Sequence, residues 1–421
     1  MKKISMLALL LSVSVLASCG EKPTENPLES LAPGEIPTGG EEVSIEDLES
    51  ILNAESPEEP VLKNGYAVSV KLPSLLYSTE TTYASNFDYK TGEYLNEPVT
   101  ETDKVSLNIT DGALDVKVTG LTSANNFSEF GLSANASAKV SFDMGDEDSK
   151  IDNELFTINS YFKDRNLYLD LSRNLLDLMG VSSEETNKVY GILPEGIEDE
   201  FIEETGLTFP VLSQANIEYI SQLLEEQMNV TRPELDTTAV VDLVDDFAKI
   251  VYENLFTVTK YGSDYLLTLN LTNENLNSNI VKLLDAAYAD GLFTYIAGAE
   301  VSKEEYDYLK AEMLNVISTY TTGFNHLKYS VVFDSTMVKS MALDVDLSIT
   351  TSSQSIGEPF EEGVGSIVET FSSTVTLKGA LNVSFEYSDD ITISYPSLTE
   401  YEKVENMFGG VEENPLPVPG I

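Results

Sequence analysis

The sequence predicts an α+β protein, an antiparallel β-sheet with amphipathic helices packed against one of its faces. Two stretches alternate apolar and polar residues with period two, from Gly65 to Leu171 and from Leu327 to Ile393. The stretch between them switches to helical spacing. In Leu343-Asp344-Val345-Asp346-Leu347-Ser348 the alternate residues are polar, so one sheet face reads as wet and the apolar side chains are sorted to the other.

The first strand carries Tyr66, Val68, Val70 and Leu72. Val105, Leu107 and Ile109 form a second, and Asp111-Gly112 reads as a turn into Leu114, Val116 and Val118. Phe130 to Met144 is a longer strand, followed by Phe156, Ile158 and Tyr161-Phe162. Asp164-Arg165-Asn166 turns the chain into Leu167, Leu169 and Leu171. A short helical piece holds Leu175-Leu176 and Met179, and Gly191 to Pro210 reads as a loop. Ile217, Ile220, Leu224 and Met228 share a helix face behind Ser213. Val240, Leu243, Val244, Phe247, Val251 and Leu255 make a second stripe, opened by Asp236. A hairpin turns at Tyr261-Gly262-Ser263-Asp264. Two more helices follow, one striped by Leu276, Ile280, Leu283, Leu284 and Ala287. The other opens with the capping box Ser302-Lys303-Glu304-Glu305 and is striped by Tyr306, Leu309, Met313, Val316 and Ile317. Strands return at Leu327 to Phe333 and Met341 to Ile349. A polar loop is read from Thr350 to Gly365, then strands around Val375, Leu381 and Ile391, with Pro396 ending the sheet.

The amino end reads as an address. Met1-Lys2-Lys3 precedes an uncharged apolar run from Ile4 to Val15, then Leu16-Ala17-Ser18-Cys19. A basic start, a short apolar core and small residues before the cut make a secretory signal over 1–18. The run is too short to span a bilayer. Leu-Ala-Ser-Cys resembles the lipobox of bacterial lipoproteins, and that family acylates the cysteine after cleavage before it. Cys19, the one cysteine of the chain, is therefore the expected lipidation site and the expected link to a membrane, with the folded part in the cell envelope outside the cytoplasm. Residues 19–60 read as anchor plus a flexible, acidic tether rich in Pro, Gly and Glu. Within it, Ser44 caps a short helix striped by Ile45, Leu48, Ile51 and Leu52, which Pro57 and Pro60 end. Residues 401–421, with Gly409-Gly410 and Pro415, Pro417 and Pro419, read as a loose tail. The net charge of −47 argues against nucleic acid and anionic membrane surfaces as partners.

Three local patterns resemble the periplasmic lipoprotein-carrier fold of LolA, LolB and the mycobacterial LppX type. They are Tyr161 to Leu169, Tyr265 to Leu269 and Leu327 to Asp334. The resemblance covers about Val61 to Thr399 and sets a LolA-like domain at 61–400. It implies a strongly curved sheet, a half-barrel, with helices packed on its concave face and acyl chains held between the two layers.

Enzyme signals are weak, and the chain is read as a non-enzyme. His326 is the single histidine and reads as a strand-edge residue. No Gly-x-Ser-x-Gly elbow, phosphate loop or dinucleotide fingerprint occurs. One histidine and an acylated cysteine cannot make a zinc set, so no metal or cofactor is expected. Asp143, Asp146, Glu147 and Asp148 lack EF-hand spacing and read as a solvated turn rather than a calcium site. The expected activity is binding or carrying a lipid, lipoprotein or other apolar ligand, by a monomer, against side chains such as Leu267, Leu269, Val345 and Leu347, which are equally explained as core and so assign no ligand site. The alternative is a structural or adhesive surface lipoprotein without a cavity. A solute-binding lipoprotein fits less well, because the strands come in runs rather than βαβ alternation.

Overall fold

The computed structural model describes residues 28, 32–44, 47, 62–145, 150–182, 186–228, 250–289, 291–320, 323–335, 337–357, 366–404 and 407. Cys19, the signal peptide, most of the expected stripe 240–255 and the acids at 146–148 lie outside them.

One open sheet of thirteen strands, antiparallel except for a single pair, dominates the fold. A first meander runs β2 (Gly65–Asp88), β3 (Glu93–Thr119), β4 (Gly131–Asp143), β5 (Ile151–Lys163), β6 (Asn166–Leu171) and β7 (Lys188–Ile192). A second runs β8 (Phe256–Tyr261), β9 (Asp264–Thr272), β10 (Gly323–Phe333), β11 (Val338–Gly357) and β12 (Ile367–Ser388). β12 pairs with β2 and joins the two meanders. The two-residue strands β1 (Glu41–Glu42) and β13 (Glu402–Lys403) lie at the outer margins, on β8 and β7. The helices are α1 (Arg173–Leu178), α2 (Ile197–Thr205), α3 (Gln214–Met228), α4 (250–255), α5 (Asn273–Ala289), α6 (Leu292–Ala297) and α7 (Lys303–Tyr320).

Local chemistry explains most boundaries. Asp164 and Arg165 sit at φ 50° and 64°, the left-handed pair that a two-residue hairpin requires. Ser302 and Glu305 form the expected box: the Glu305 amide donates to Ser302 Oγ at 3.3 Å, and the Ser302 amide donates to Glu305 Oε2 at 2.9 Å. The hydrophobic core is concentrated at β8–β11, where Val258, Tyr265, Leu267, Val331, Phe333 and Val338 cluster on one face. Leu266 and Val332 point the other way and are also buried, against Leu28. β9 is thus buried on both sides over Asp264–Thr268.

Several expectations are corrected. Asp111-Gly112 is not a turn but a bulge inside a continuous β3, with Asp111 at φ 53° and a register shift between Thr110 and Ala113. A side chain at Gly112 would meet Leu72 Cβ at 2.9 Å, so the two strands close only over glycine. The loop 191–210 contains the end of β7 and α2. Gly196 and Gly206 flank that helix in left-handed conformations, and its acidic turns hid the Ile197–Phe201 spacing. The loop 350–365 is strand as far as Gly357, because Ser and Thr side chains pair across it: Thr350 with Thr374 at 2.9 Å and Ser348 with Thr376 at 2.8 Å.

The two termini also differ from their readings. Residues 32–44 of the expected flexible tether lie along the sheet. The Gly34 amide donates to Ser330 Oγ at 2.8 Å, and the Tyr261 hydroxyl donates to the Pro37 carbonyl. Ile391 and Ile393 are not in a strand. Their segment crosses over β5, where the Tyr395 hydroxyl donates to the Phe162 carbonyl at 3.2 Å. Tyr401, expected in the loose tail, is buried at the start of β13.

Candidate functional site

Strand register turns the alternation of the sequence into a continuous apolar strip. Val258, Leu267, Val331 and Met341 are directly paired across β8–β11. Val383, Val70, Leu114, Ala136, Ile158 and Leu171 extend the same row across β12, β2, β3, β4, β5 and β6. A second row, seven residues away along β2 and β3, each of which has a register shift between the rows, joins Leu347, Leu377, Tyr77, Leu107, Phe142 and Ile151. The residues that adjoin the first row on its outer side point to the opposite face and are polar: Ser340, Ser384, Ser69, Asp115 and Asn135. The expected one-sided sorting therefore holds across this row from β11 to β5, while β9 and β10 also bury Leu266 and Val332 on the opposite face.

The strip is covered at its ends and open toward its middle. Val258, Leu267 and Val331 are 1%, 4% and 0% exposed, under Phe256 and Tyr252 of α4. Leu267 and Val345, which the sequence leaves equally open to a ligand or to the core, are buried. Near the end of β5, Phe162 is held in a cage of rings with Phe127, Phe201 of α2 and Phe209, at centroid distances of 5.0 to 6.3 Å. Between these ends Leu114, Tyr77 and Ile158 are 36%, 41% and 43% exposed. The helices leave apolar surface open as well. α5 contacts β9 and β10, and α7 contacts β11. Yet along α7 only Tyr306 of the expected stripe is buried, while Leu309, Met313 and Val316 are exposed.

Polar groups at the margin of the strip are few. The Tyr252 hydroxyl is buried with no hydrogen-bond partner among the described residues, and burial pushes its pKa up to about 12. α5 and α7 are latched by Tyr306, whose hydroxyl donates to Asp285 Oδ1 at 2.7 Å, and by Lys310, whose Nζ reaches the same carboxylate at 2.7 and 2.9 Å. Tyr306 stacks on Tyr288 at 4.1 Å, with Lys303 Nζ 4.7 Å over its ring. Burial first, then the hydrogen bond to Asp285, drives the Tyr306 phenol well above its ordinary pKa. Lys310 and then Tyr306 hold Asp285 below the usual carboxylate range.

The remaining candidates do not assemble into a centre. His326 follows a bulge in β10 on the polar face, with Nε2 3.0 Å from Asp344 Oδ1 and Asp346 opposite it in register. Asp143 accepts from the Gly145 amide at 2.8 Å and pairs with Lys150 at 3.8 Å. Among the described residues no group of three or more His, Cys, Asp or Glu could hold a metal ion. A 410 Å³ depression is lined by Leu28, Val332, Met341 and Val383 together with Lys71, Asn382 and several serines. The sequence identified the strand residues of the strip but gave no signal of their exposure, because alternation does not say which part of a face a helix reaches.

No family model matches the chain, and no curated protein matches it. Among solved structures, the open-gate secretin InvG of the Salmonella SPI-1 type III secretion injectisome is 8% identical. It covers 81% of this chain and 64% of its own, with a TM-score of 0.18. The chain thus spans somewhat under two thirds of that secretin. The outer membrane protein OprG from Pseudomonas aeruginosa is 6% identical over 76% of this chain and 97% of its own, with a TM-score of 0.08. The outer membrane protease OmpT from Escherichia coli is 7% identical over 79% and 99%, with a TM-score of 0.09. At these scores none of the three bears on fold or function. No described helix is long and apolar enough to cross a membrane.

Proposed function

We propose that this chain is a lipid-anchored envelope protein that holds an apolar ligand, an acyl chain of a lipid or lipoprotein, against the apolar face of its sheet. The supporting observation is the strip itself: Leu114 and Ile158 share a row with the buried Val258, Leu267 and Val331, Tyr77 lies in the second row, and all three remain more than a third exposed. Covering such side chains with an acyl chain releases about 25 cal/mol per Å² removed from water. Leu309, Met313 and Val316 on α7 offer a second apolar surface for the same ligand, and the unpartnered Tyr252 hydroxyl is a donor for a polar headgroup. In this reading the helices lie over a concave sheet face and one moves as a lid. Acylated Cys19 keeps the domain at the membrane that supplies the ligand. Catalysis, metal and cofactor have no part in it.

Native mass spectrometry of gently purified protein tests this. Adducts of acyl-chain mass are expected on the wild type and should fall several-fold in Leu114→Asp/Ile158→Asp, with circular dichroism unchanged. A wild-type spectrum free of adducts, also after incubation with fatty acid, overturns it. The structural or adhesive surface role is then preferred, and the long, wet strands described next favour that second reading.

A further inference from the structure

Four long strands run past the body of the sheet. β3 has 27 residues and β2 has 24, spans of roughly 90 and 80 Å. Among the described residues β11 has no partner on its outer side beyond Ser348, and β3 has none before Ser106, so β11–β12–β2–β3 project as a four-stranded blade with two open edges. Both edges are exposed on consecutive residues, 97–104 on β3 and 349–357 on β11, so the blade is wet on both faces there.

The open edges are guarded unequally. An unpaired edge is a row of free amides and carbonyls, which soluble proteins blunt with charge, proline or shortness. The β3 edge carries Glu93, Glu97, Pro98, Glu101, Asp103 and Lys104. At the sheet margins β1 and β13 are two residues each, all charged. The β11 edge, Ile349-Thr350-Thr351-Ser352-Ser353-Gln354-Ser355-Ile356-Gly357, has no charge and no proline, in a chain of net charge −47.

We propose that the β11 edge, residues 349–357, pairs antiparallel with the same edge of a second copy, about a two-fold axis at Ser353, to make one continuous eight-stranded blade. The argument for a second copy is self-complementarity. About Ser353 the pairing sets Thr351 against Ser355 and Ile349 against Gly357, so each of the nine residues meets an uncharged one. It extends the hydroxyl ladder already present between β11 and β12. Most of the blade's acids lie on β3, three strand spacings or about 14 Å from the joint, and Glu80 and Asp88 on β2 lie two spacings or about 10 Å away, all beyond a Debye length of about 8 Å. Glu369, one strand away, is engaged by the hydroxyls of Tyr83, Tyr89 and Ser355. A neutral edge offers a charged peptide nothing to read, whereas a two-fold joint closes on itself. The area is small, so the dimer is weak and concentration-dependent.

Sedimentation velocity on the full chain carrying Cys19→Ser, in mild detergent from about 1 to about 200 µM, tests the joint. A monomer–dimer equilibrium is expected, shifted at least tenfold toward monomer by Ser353→Glu and unchanged by Val99→Glu on the other edge. Ser353→Cys should form an intermolecular disulfide under mild oxidation, since directly opposed edge residues lie within disulfide reach. A wild type that stays monomeric throughout, a dimer indifferent to Ser353→Glu, or open-ended oligomers each overturn the proposal.

Discussion

The body of the sheet and its blade are built from the same four strands, yet they obey different rules. In the body β11 presents Met341, Leu343 and Val345 to one side, and helices or terminal segments cover what they can reach. Four residues beyond Val345 the same strand is exposed on both faces. What changes is composition: Val and Leu give way to Thr, which favours the strand conformation, and to Ser, and both tolerate water on either side. Strand length here follows hairpin pairing, and burial follows side chains. The two are separable within one strand.

Mutation should separate them most sharply in stability. Leu266 is fully buried between the sheet and Leu28, so Leu266→Ala is expected to cost about 2–5 kcal/mol. Phe371, a comparably large side chain 44% exposed on the blade, should cost under about 1 kcal/mol when cut to Ala. Urea denaturation of both variants checks this, and equal losses would mean that the blade has a core of its own.

A smaller effect is expected at the ion pair beside the body's core. Asp264, with 4% of its side chain exposed, accepts from Lys339 Nζ at 2.6 Å, and Lys339 also reaches Asp334 at 3.2 Å. Burial alone would lower the Lys339 pKa, but these two carboxylates outweigh it and raise it. Asp264→Asn should cost about 2 kcal/mol, since Asp334 remains to hold the cation. The same denaturation assay measures it, and a neutral result would show that the pair is solvated.

The finest contrast is between two tyrosine–carboxylate pairs. Tyr306 donates to Asp285 at 2.7 Å in the helix layer, and Tyr89 donates to Glu369 at 2.6 Å on the blade. Tyr306 is fully buried, and burial is the first cause of its raised pKa. Tyr89 is 60% exposed, and its pKa is pushed up to about 12 first by the hydrogen bond to Glu369. The pair of buried Tyr306 and exposed Asp285 should make stability pH-dependent at both limits. Asp285 is lowered, so its contribution is present above the unfolded carboxylate value of about 3.9 and lost as pH falls through the folded value. Tyr306 is raised, so its contribution is complete below the unfolded phenol value of about 10 and lost as pH rises toward the folded one. Tyr306→Phe should cost about 1 kcal/mol at neutral pH and flatten the alkaline limb. Tyr89→Phe should remove one late-titrating phenol from the ultraviolet titration and leave the thermal midpoint in place. A midpoint drop in the Tyr89 variant matching that of Tyr306→Phe would erase the distinction.

How far the sequence could be read depended on which residues carried the signal. The hairpin at Asp164-Arg165 and the capping box at Ser302–Glu305 were legible because their chemistry is local. The bulge at Asp111 was read as a turn because Asp-Gly supports either, and only the neighbouring strand with Leu72 decides. The blade was missed because Ser and Thr alternate with their own kind and leave no apolar period. Of the candidate site, the apolar residues of the strip were legible as strand residues, while their exposure was not.

By itself the sequence determined two antiparallel runs with a helical insert, and the sorting of apolar side chains to one flank, because period and propensity are properties of consecutive residues. Only the tertiary structure decided that the runs join at β12 and β2 and that terminal residues 32–44 and 391–404 settle on the sheet. It also decided that the middle of the apolar strip stays open and that one edge of the blade is unguarded. Those outcomes depend on which distant residues arrive beside each other, and neither alternation nor composition encodes that directly.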